Sequence, residues 1–327
     1  MSIFNTPTHP LRQAQCDSPC VVSQSLSKTA GGLKQISFFV FFILLNITSF
    51  SQFPNTDIWL LDIKQEKDSL IFTNPVNITN RDGYDNQPAF SPDGKYILYS
   101  SLHDTTQADI YKYDIATKQT TQFTKTPESE FSPTFMPGGK FISTVRVEKD
   151  SIQRLWKFPV NGGEPTLVMD KIDSIGYHCW LNKDTVALFI LTKPFTLQLV
   201  DIHKQTTKII SENIGRCMQK TKDNNDIFFV IKPDTISNWK LTNVRNYLPL
   251  MGEINRKMYQ EILKGCEDFV FVNNHQIITR LNSELIRIDL LSGKSKTIAN
   301  LSQFGINNLG RLAISPDGKI LAVVNTK

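Results

Sequence analysis

The feature that most constrains this chain is a hairpin that recurs. Gln87 to Ser101 reads QPAFSPDGKYILYSS: a strand, a turn at Ser91-Pro92-Asp93-Gly94, and a second strand. Proline presets φ at the second turn position, aspartate accepts the third, and glycine relieves the exit. The residues behind the turn alternate as a pleated strand requires. Ile314 to Asn325 (ISPDGKILAVVN) repeats the motif at the far end, and Phe135 to Val147 (FMPGGKFISTVRV) repeats it with glycine at the aspartate position. Fainter copies at Trp180 to Leu191, Gln219 to Ile231 and Phe271 to Leu281 have lost the proline but keep polar turn residues ahead of a β-rich run. The copies begin roughly 40–50 residues apart, the spacing of propeller blades.

A second kind of segment alternates with the first. DIWLLDI from Asp57 and DIYKYDI from Asp109 are followed by RLWKFPV from Arg154, TLQLVDI from Thr196, SNWKLTN from Ser237 and ELIRIDL from Glu284. Most lead into a polar turn and another short strand. Six hairpins of each kind make six four-stranded units. The series opens with the second kind and closes with the first, so each end supplies half a unit. A ring joined by its own termini needs that arrangement, because joining protects the strand edges an open array would expose. The expected fold is all-β: a six-bladed β-propeller over residues 53–327, closed by pairing of its N- and C-terminal strands in one blade.

The SPDGK turns paired with DIYKYDI-type strands resemble the propeller repeats of the TolB-like family, also described as WD40-like or PD40-type repeats. The resemblance covers nearly all of the chain after residue 53 and is clearest in the first, second and last SPDG-type hairpins. It implies a propeller, and it implies little about chemistry, since this fold carries binding proteins, lyases, lactonases and peptidase accessory domains. The family's namesake places a separate α/β domain ahead of its propeller, and no segment here is expected to form one. A Tol–Pal envelope role is therefore not implied.

Residues 1–32 are polar and aperiodic, and read as an unstructured extension. Leu33-Lys34-Gln35, the apolar run ISFFVFFILLNI and then TSFSQ read as a secretory signal over 33–51, with cleavage after Ser51. A run of about a dozen residues falls short of the roughly 20 that a membrane span needs. The expected mature protein is a monomeric propeller beginning at Gln52, periplasmic or secreted, with no stable membrane span. Loss of the leader takes the net charge from +5 to +3, because Arg12, Lys28 and Lys34 go with Asp17. No basic block stands out, so nucleic acid is not an expected partner. Cys179, Cys217 and Cys266 remain, too widely spaced for a disulfide framework or a zinc pattern. They read as buried small hydrophobes, with a Cys179–Cys217 bridge open if their Cβ atoms face each other. Ser237 to Leu263 fits the repeat worst: its second half is compatible with a short helix, and a distorted outer edge of the fifth blade or a surface insertion is expected there.

No G-x-S-x-G, H-E-x-x-H or phosphate-loop signature is present. The expected function is therefore positional. The turn entering each first-kind hairpin should open on the central channel, which brings Asp85, Asn86, Glu130, His178, Arg216, Asp268 and Arg311 around one rim. Convergent polar groups at a cavity mouth define a ligand site. Acids on one arc and arginines on another suit a zwitterionic or peptide-like ligand, and the expected partner is an envelope or extracellular protein, peptide or glycan, bound without catalysis or cofactor. The alternative is a small metal-assisted lactonase- or lyase-type enzyme using a rim carboxylate or His178. Asp85, Asn86, Glu130 and Asp268 offer some oxygens to a calcium ion, which needs six to eight, but nothing fixes them on one centre.

Overall fold

The computed structural model describes residues 53–67, 69–103, 107–223, 226–233, 237–245 and 255–327. The expected leader, its signal and its cleavage point lie outside them. The strands in chain order are β1 (Thr56–Glu66), β2 (Ser69–Asn77), β3 (Tyr84–Phe90), β4 (Tyr96–Leu102), β5 (Ala108–Asp114) and β6 (Thr120–Gln122). They continue with β7 (Ser129–Phe135), β8 (Phe141–Val147), β9 (Gln153–Pro159), β10 (Thr166–Leu167), β11 (Ile175–Trp180), β12 (Thr185–Ile190), β13 (Thr196–Asp201) and β14 (Thr206–Glu212). The last ten are β15 (Ile214–Lys220), β16 (Asp226–Ile231), β17 (Trp239–Arg245), β18 (Asn255–Ile262), β19 (Phe269–Asn273), β20 (Gln276–Leu281), β21 (Glu284–Asp289), β22 (Ser295–Asn300), β23 (Leu309–Ile314) and β24 (Ile320–Thr326). One 3-10 turn at Leu301–Phe304 is the only helical segment among the described residues. Asn255–Ile262 is a strand paired with β17, so the second half of Ser237 to Leu263 holds β structure where its sequence is also compatible with a short helix. Cross-strand pairing outweighs local helix preference at that edge.

Four sheets are open and four-stranded: β7–β10, β11–β14, β15–β18 and β19–β22. The remaining eight strands form one sheet in which β3–β6 meets β23, β24, β1 and β2 through a single parallel pair, Thr56 with Tyr84. The N-terminal β1 pairs antiparallel with the C-terminal β24, from Thr56 opposite Thr326 to Asp62 opposite Ile320. First strands neighbour one another in sequence, β3 with β7, β7 with β11, β11 with β15, β15 with β19 and β19 with β23, and β23 neighbours β3.

The turns form as their residues require. Gly94 N–H donates to the Ser91 carbonyl at 2.8 Å, Ser91 Oγ donates to Asp93 Oδ1 at 2.7 Å, and Gly94 takes φ +69°. Ser315, Asp317 and Gly318 repeat this with 2.9 Å, 2.6 Å and φ +74°. Glycine populates that left-handed region without the Cβ clash other residues meet.

Burial follows strand position. Second strands such as β8 and β12 are covered on both faces, third strands such as β5 and β9 alternate, and the outer β6 is exposed. Apolar clusters lie between neighbouring sheets. Tyr177, Phe189 and Leu197 pack on Ile214, Phe229 and Val244, and Leu61 and Leu321 pack on Val270 and Leu285. Each such side chain contributes about 1.5–3 kcal/mol when fully buried, so the core is a set of inter-sheet seams. Cys179, Cys217 and Cys266 are all free, and Cys217 and Cys266 are buried in the manner of small hydrophobes.

Candidate functional site

The seven residues expected in turns around a channel rim sit mostly inside first strands. Asp85 and Asn86 lie in β3, Glu130 in β7, His178 in β11, Arg216 in β15 and Arg311 in β23; Asp268 immediately precedes β19. All but Arg311 are buried, and the Arg311 side chain is 14% exposed. Hairpin pairing runs further than the turn chemistry suggests, so it reaches these positions.

Asp85 and Glu130 occupy the same place in their hairpins, opposite the end of the second strand. Asp85 faces Ser101, whose hydroxyl donates to Oδ1 at 2.5 Å, and Arg81 Nη2 reaches the same oxygen at 2.7 Å. Burial outweighs both and raises its pKa. Glu130 faces Arg146, whose Nε donates at 3.1 Å, and accepts from the Thr124 and Thr126 hydroxyls. Burial still pushes Glu130 up to about 7. Asn86 Oδ1 accepts from Gln87 N–H at 2.7 Å and shapes the bulge in which Gln87 takes φ +59°. Gln87 Oε1 then accepts from Ser132 N–H at 2.6 Å, tying β3 to β7.

His178 ties β11 to β8. Ser143 Oγ accepts from Trp180 Nε1 at 2.8 Å, lies 2.6 Å from His178 Nε2 and is 3.3 Å from the Thr134 carbonyl, to which it donates. Burial lowers the imidazole pKa to about 3, which keeps it neutral. Ser143 is fully buried, and this pair is a stitch between sheets.

Arg216, Asp268 and Arg311 do come together, with partners the sequence reading left out. Arg216 Nη2 donates to Asp268 Oδ2 at 2.7 Å, and its backbone N–H donates to Glu267 Oε1 at 2.6 Å. Gly215 makes room for that carboxylate, since a Cβ there would stand 2.8 Å from Glu267 Oε1. Lys232 Nζ lies 2.8 Å from the same oxygen. Arg280 Nη2 holds Asp268 Oδ2 at 3.1 Å, and Arg311 Nε lies 3.7 Å from Oδ1. Burial acts to raise both carboxyls. Arg216, then Arg311 and Arg280, outweigh it at Asp268; Arg216 and Lys232 outweigh it at Glu267, so both sit below their ordinary range.

This network carries four cations, Arg216, Lys232, Arg280 and Arg311, against two carboxylates, Glu267 and Asp268. Arg216 is covered, its side chain 5% exposed, and the other three cations reach solvent more than either carboxylate does. Lys232 is 32% exposed, Arg280 15% and Arg311 14%, whereas Glu267 is 9% and Asp268 2%. The surface that meets solvent is therefore cationic. Lys232 also borders a cleft of about 280 Å³ with Thr192, Lys193, Pro194, Phe195, Asn213 and Ile214. Lys232 and Arg280 lie at or just beyond the ends of second strands, opposite the start of the first, and that register was the signal that could have found them. Among the described residues no group of three or more His, Cys, Asp or Glu side chains converges to hold a metal. Asp85, Asn86, Glu130 and Asp268 each hold other partners.

No family model matches the sequence, and no curated protein matches it. Solved structures do resemble the fold. Putative TolB from Agrobacterium tumefaciens aligns with TM-score 0.65 at 14% identity, over 84% of this chain and 99% of that one. An oligogalacturonate lyase from Vibrio parahaemolyticus gives 0.56 at 11%, over 82% and 86%. A gluconolactonase from Xanthomonas campestris gives 0.57 at 7%, over 82% and 95%. At these identities the likeness shows fold alone: a TolB-like β-propeller.

Proposed function

We propose that this chain is an exported six-bladed propeller, its ring joined where β1 pairs with β24, that binds a carboxylate-bearing peptide, protein segment or glycan at its inner strands without catalysis. The observation that carries this reading is the sign of the exposed charge. Asp268 and Glu267 are covered and satisfied by cations, while Arg280, Arg311 and Lys232 keep part of their surface in water. Preorganised, partly desolvated cations recognise carboxylates well, and Arg does so with fixed donor geometry. The solved structures of similar fold include an oligogalacturonate lyase and a gluconolactonase. An enzyme of that kind here would need oxygen ligands released from Arg146, Arg81 or Arg216, and no residue observation favours it. In support of export, no described helix is long and apolar enough to cross a membrane, and the apolar run ahead of Ser51 has signal length.

The test is calorimetric titration with an acidic peptide and with an oligogalacturonate. Arg280→Ala together with Lys232→Ala should weaken the better ligand by about tenfold or more, and salt should weaken it further. Equal affinity in wild type and double variant would end the proposal.

A further inference from the structure

A second cleft, of about 300 Å³, opens beside β8 and β9 and is walled by Glu128, Arg146, Glu148, Lys149, Asp150 and Trp156. It shares no wall residue with the Arg216–Asp268 network. Arg146 is its deepest group, with a side chain only 6% exposed. Its Nε reaches Glu130 at 3.1 Å, its Nη1 lies 3.8 Å from Glu128, and its guanidinium lies 4.2 Å above the Trp156 ring. Arg146 Nη2 is buried and has no hydrogen-bond partner among the described residues. A buried donor of that kind calls for an acceptor. On the opposite wall, Glu148 Oε1 accepts from Trp156 Nε1 at 2.9 Å and Oε2 from Arg154 Nη1 at 2.6 Å, so the carboxylate is held in place with lone pairs to spare.

We propose that this cleft binds a neutral saccharide. Glu128, Glu148 and Asp150 oppose an anionic ligand. A simple cation meets Arg146 and Lys149 and offers nothing to Nη2, and the carboxylates do not converge as a metal group. A neutral polyol satisfies both walls at once: a hydroxyl or ring oxygen accepts from Arg146 Nη2, and other hydroxyls donate to carboxylate oxygens. Its C–H surface then meets the part of the Trp156 ring that lines the cleft, beside the face covered by Arg146. The volume is at the small end of ligand clefts, which suits a terminal sugar unit better than a long chain.

The probes are methyl α-glucoside, methyl α-galactoside, methyl α-mannoside and N-acetylglucosamine, with galacturonic acid as the charged comparison, followed by calorimetry and saturation-transfer NMR. At least one neutral probe should bind saturably with Kd of about 0.1–10 mM. Glu148→Gln and Trp156→Phe should each weaken it by about tenfold while keeping the wild-type melting profile. Trp156→Phe preserves a ring beneath Arg146, so it reports loss of the indole edge in a folded protein. Arg280→Ala should leave this binding unchanged, which separates it from the inner-strand site. No saturable neutral binding up to about 50 mM, galacturonic acid binding as tightly as the sugars, or wild-type affinity in both variants would each overturn the proposal.

Discussion

The guanidinium of Arg311 lies 4.3 Å above the ring of Tyr177. Tyr177 belongs to β11, whose first-strand neighbours are β7 and β15, whereas Arg311 belongs to β23, beside β19 and β3. The contact therefore joins sheets whose first strands are not neighbours. Asp268 anchors the contact, since it holds Arg311 and also Arg216 and Arg280.

That hierarchy predicts unequal costs. Asp268→Asn leaves three guanidinium groups without their shared carboxylate, and breaking such a buried set costs about 3–5 kcal/mol. Arg311→Met leaves Asp268 two guanidinium partners and loses mainly the contact with Tyr177, at about 1–2 kcal/mol. Urea unfolding of both variants measures the difference. Equal losses would show that Asp268 is not the centre of the network.

The β1–β24 pairing predicts cooperative loss. Deleting residues 53–80 removes β1 and β2, strips β24 of one of its two partners and uncovers Val270, Leu285 and Leu321, on which Leu61, Leu70 and Phe72 pack. A ring opened at one blade exposes edges on both sides of the gap. The melting temperature of the whole domain should fall. A truncated protein that melts at the wild-type temperature would contradict the ring.

Export predicts a mature amino terminus at Gln52 in protein recovered from the envelope or medium. Amino-terminal sequencing decides it, and an intact terminus upstream of Leu33 in exported protein would remove the signal assignment.

The repeat was legible because its determinants are local. Ser91-Pro92-Asp93-Gly94 and Ser315-Pro316-Asp317-Gly318 carry their own turn geometry, and segments such as DIYKYDI alternate within a few residues of β5. The site was legible only in part. Arg216, Asp268 and Arg311 were found by position; Glu267 enters from the same loop as Asp268, and Lys232 and Arg280 enter through cross-strand register that no single segment encodes. Burial was the larger miss. Asp85 and Glu130 look like turn acids in sequence, but strand pairing sets them opposite Ser101 and Arg146, at the far end of the same hairpins, and inside the fold.

Glu130 and His178 should oppose each other in acid. Burial raises Glu130 from 4.5 to about 7, so the folded state binds its proton more tightly than the unfolded chain. Its contribution is full below pH 4.5 and is lost as pH rises through 7. Burial lowers His178 from 6.5 to about 3, so there the unfolded chain binds the proton more tightly. Its contribution is full above pH 6.5 and is lost as pH falls towards 3. Between pH 4.5 and 6.5 the two slopes have opposite sign, and together they nearly cancel. Glu130→Gln should remove one of them and leave stability rising with pH across that window, by an amount of order 1 kcal/mol per pH unit. His178→Asn should leave the reverse slope on a lower baseline, because Ser143 loses its imidazole partner. Denaturant unfolding at half-unit pH steps reads both slopes. Parallel pH profiles for wild type and Glu130→Gln would show that Glu130 keeps an ordinary pKa despite its burial.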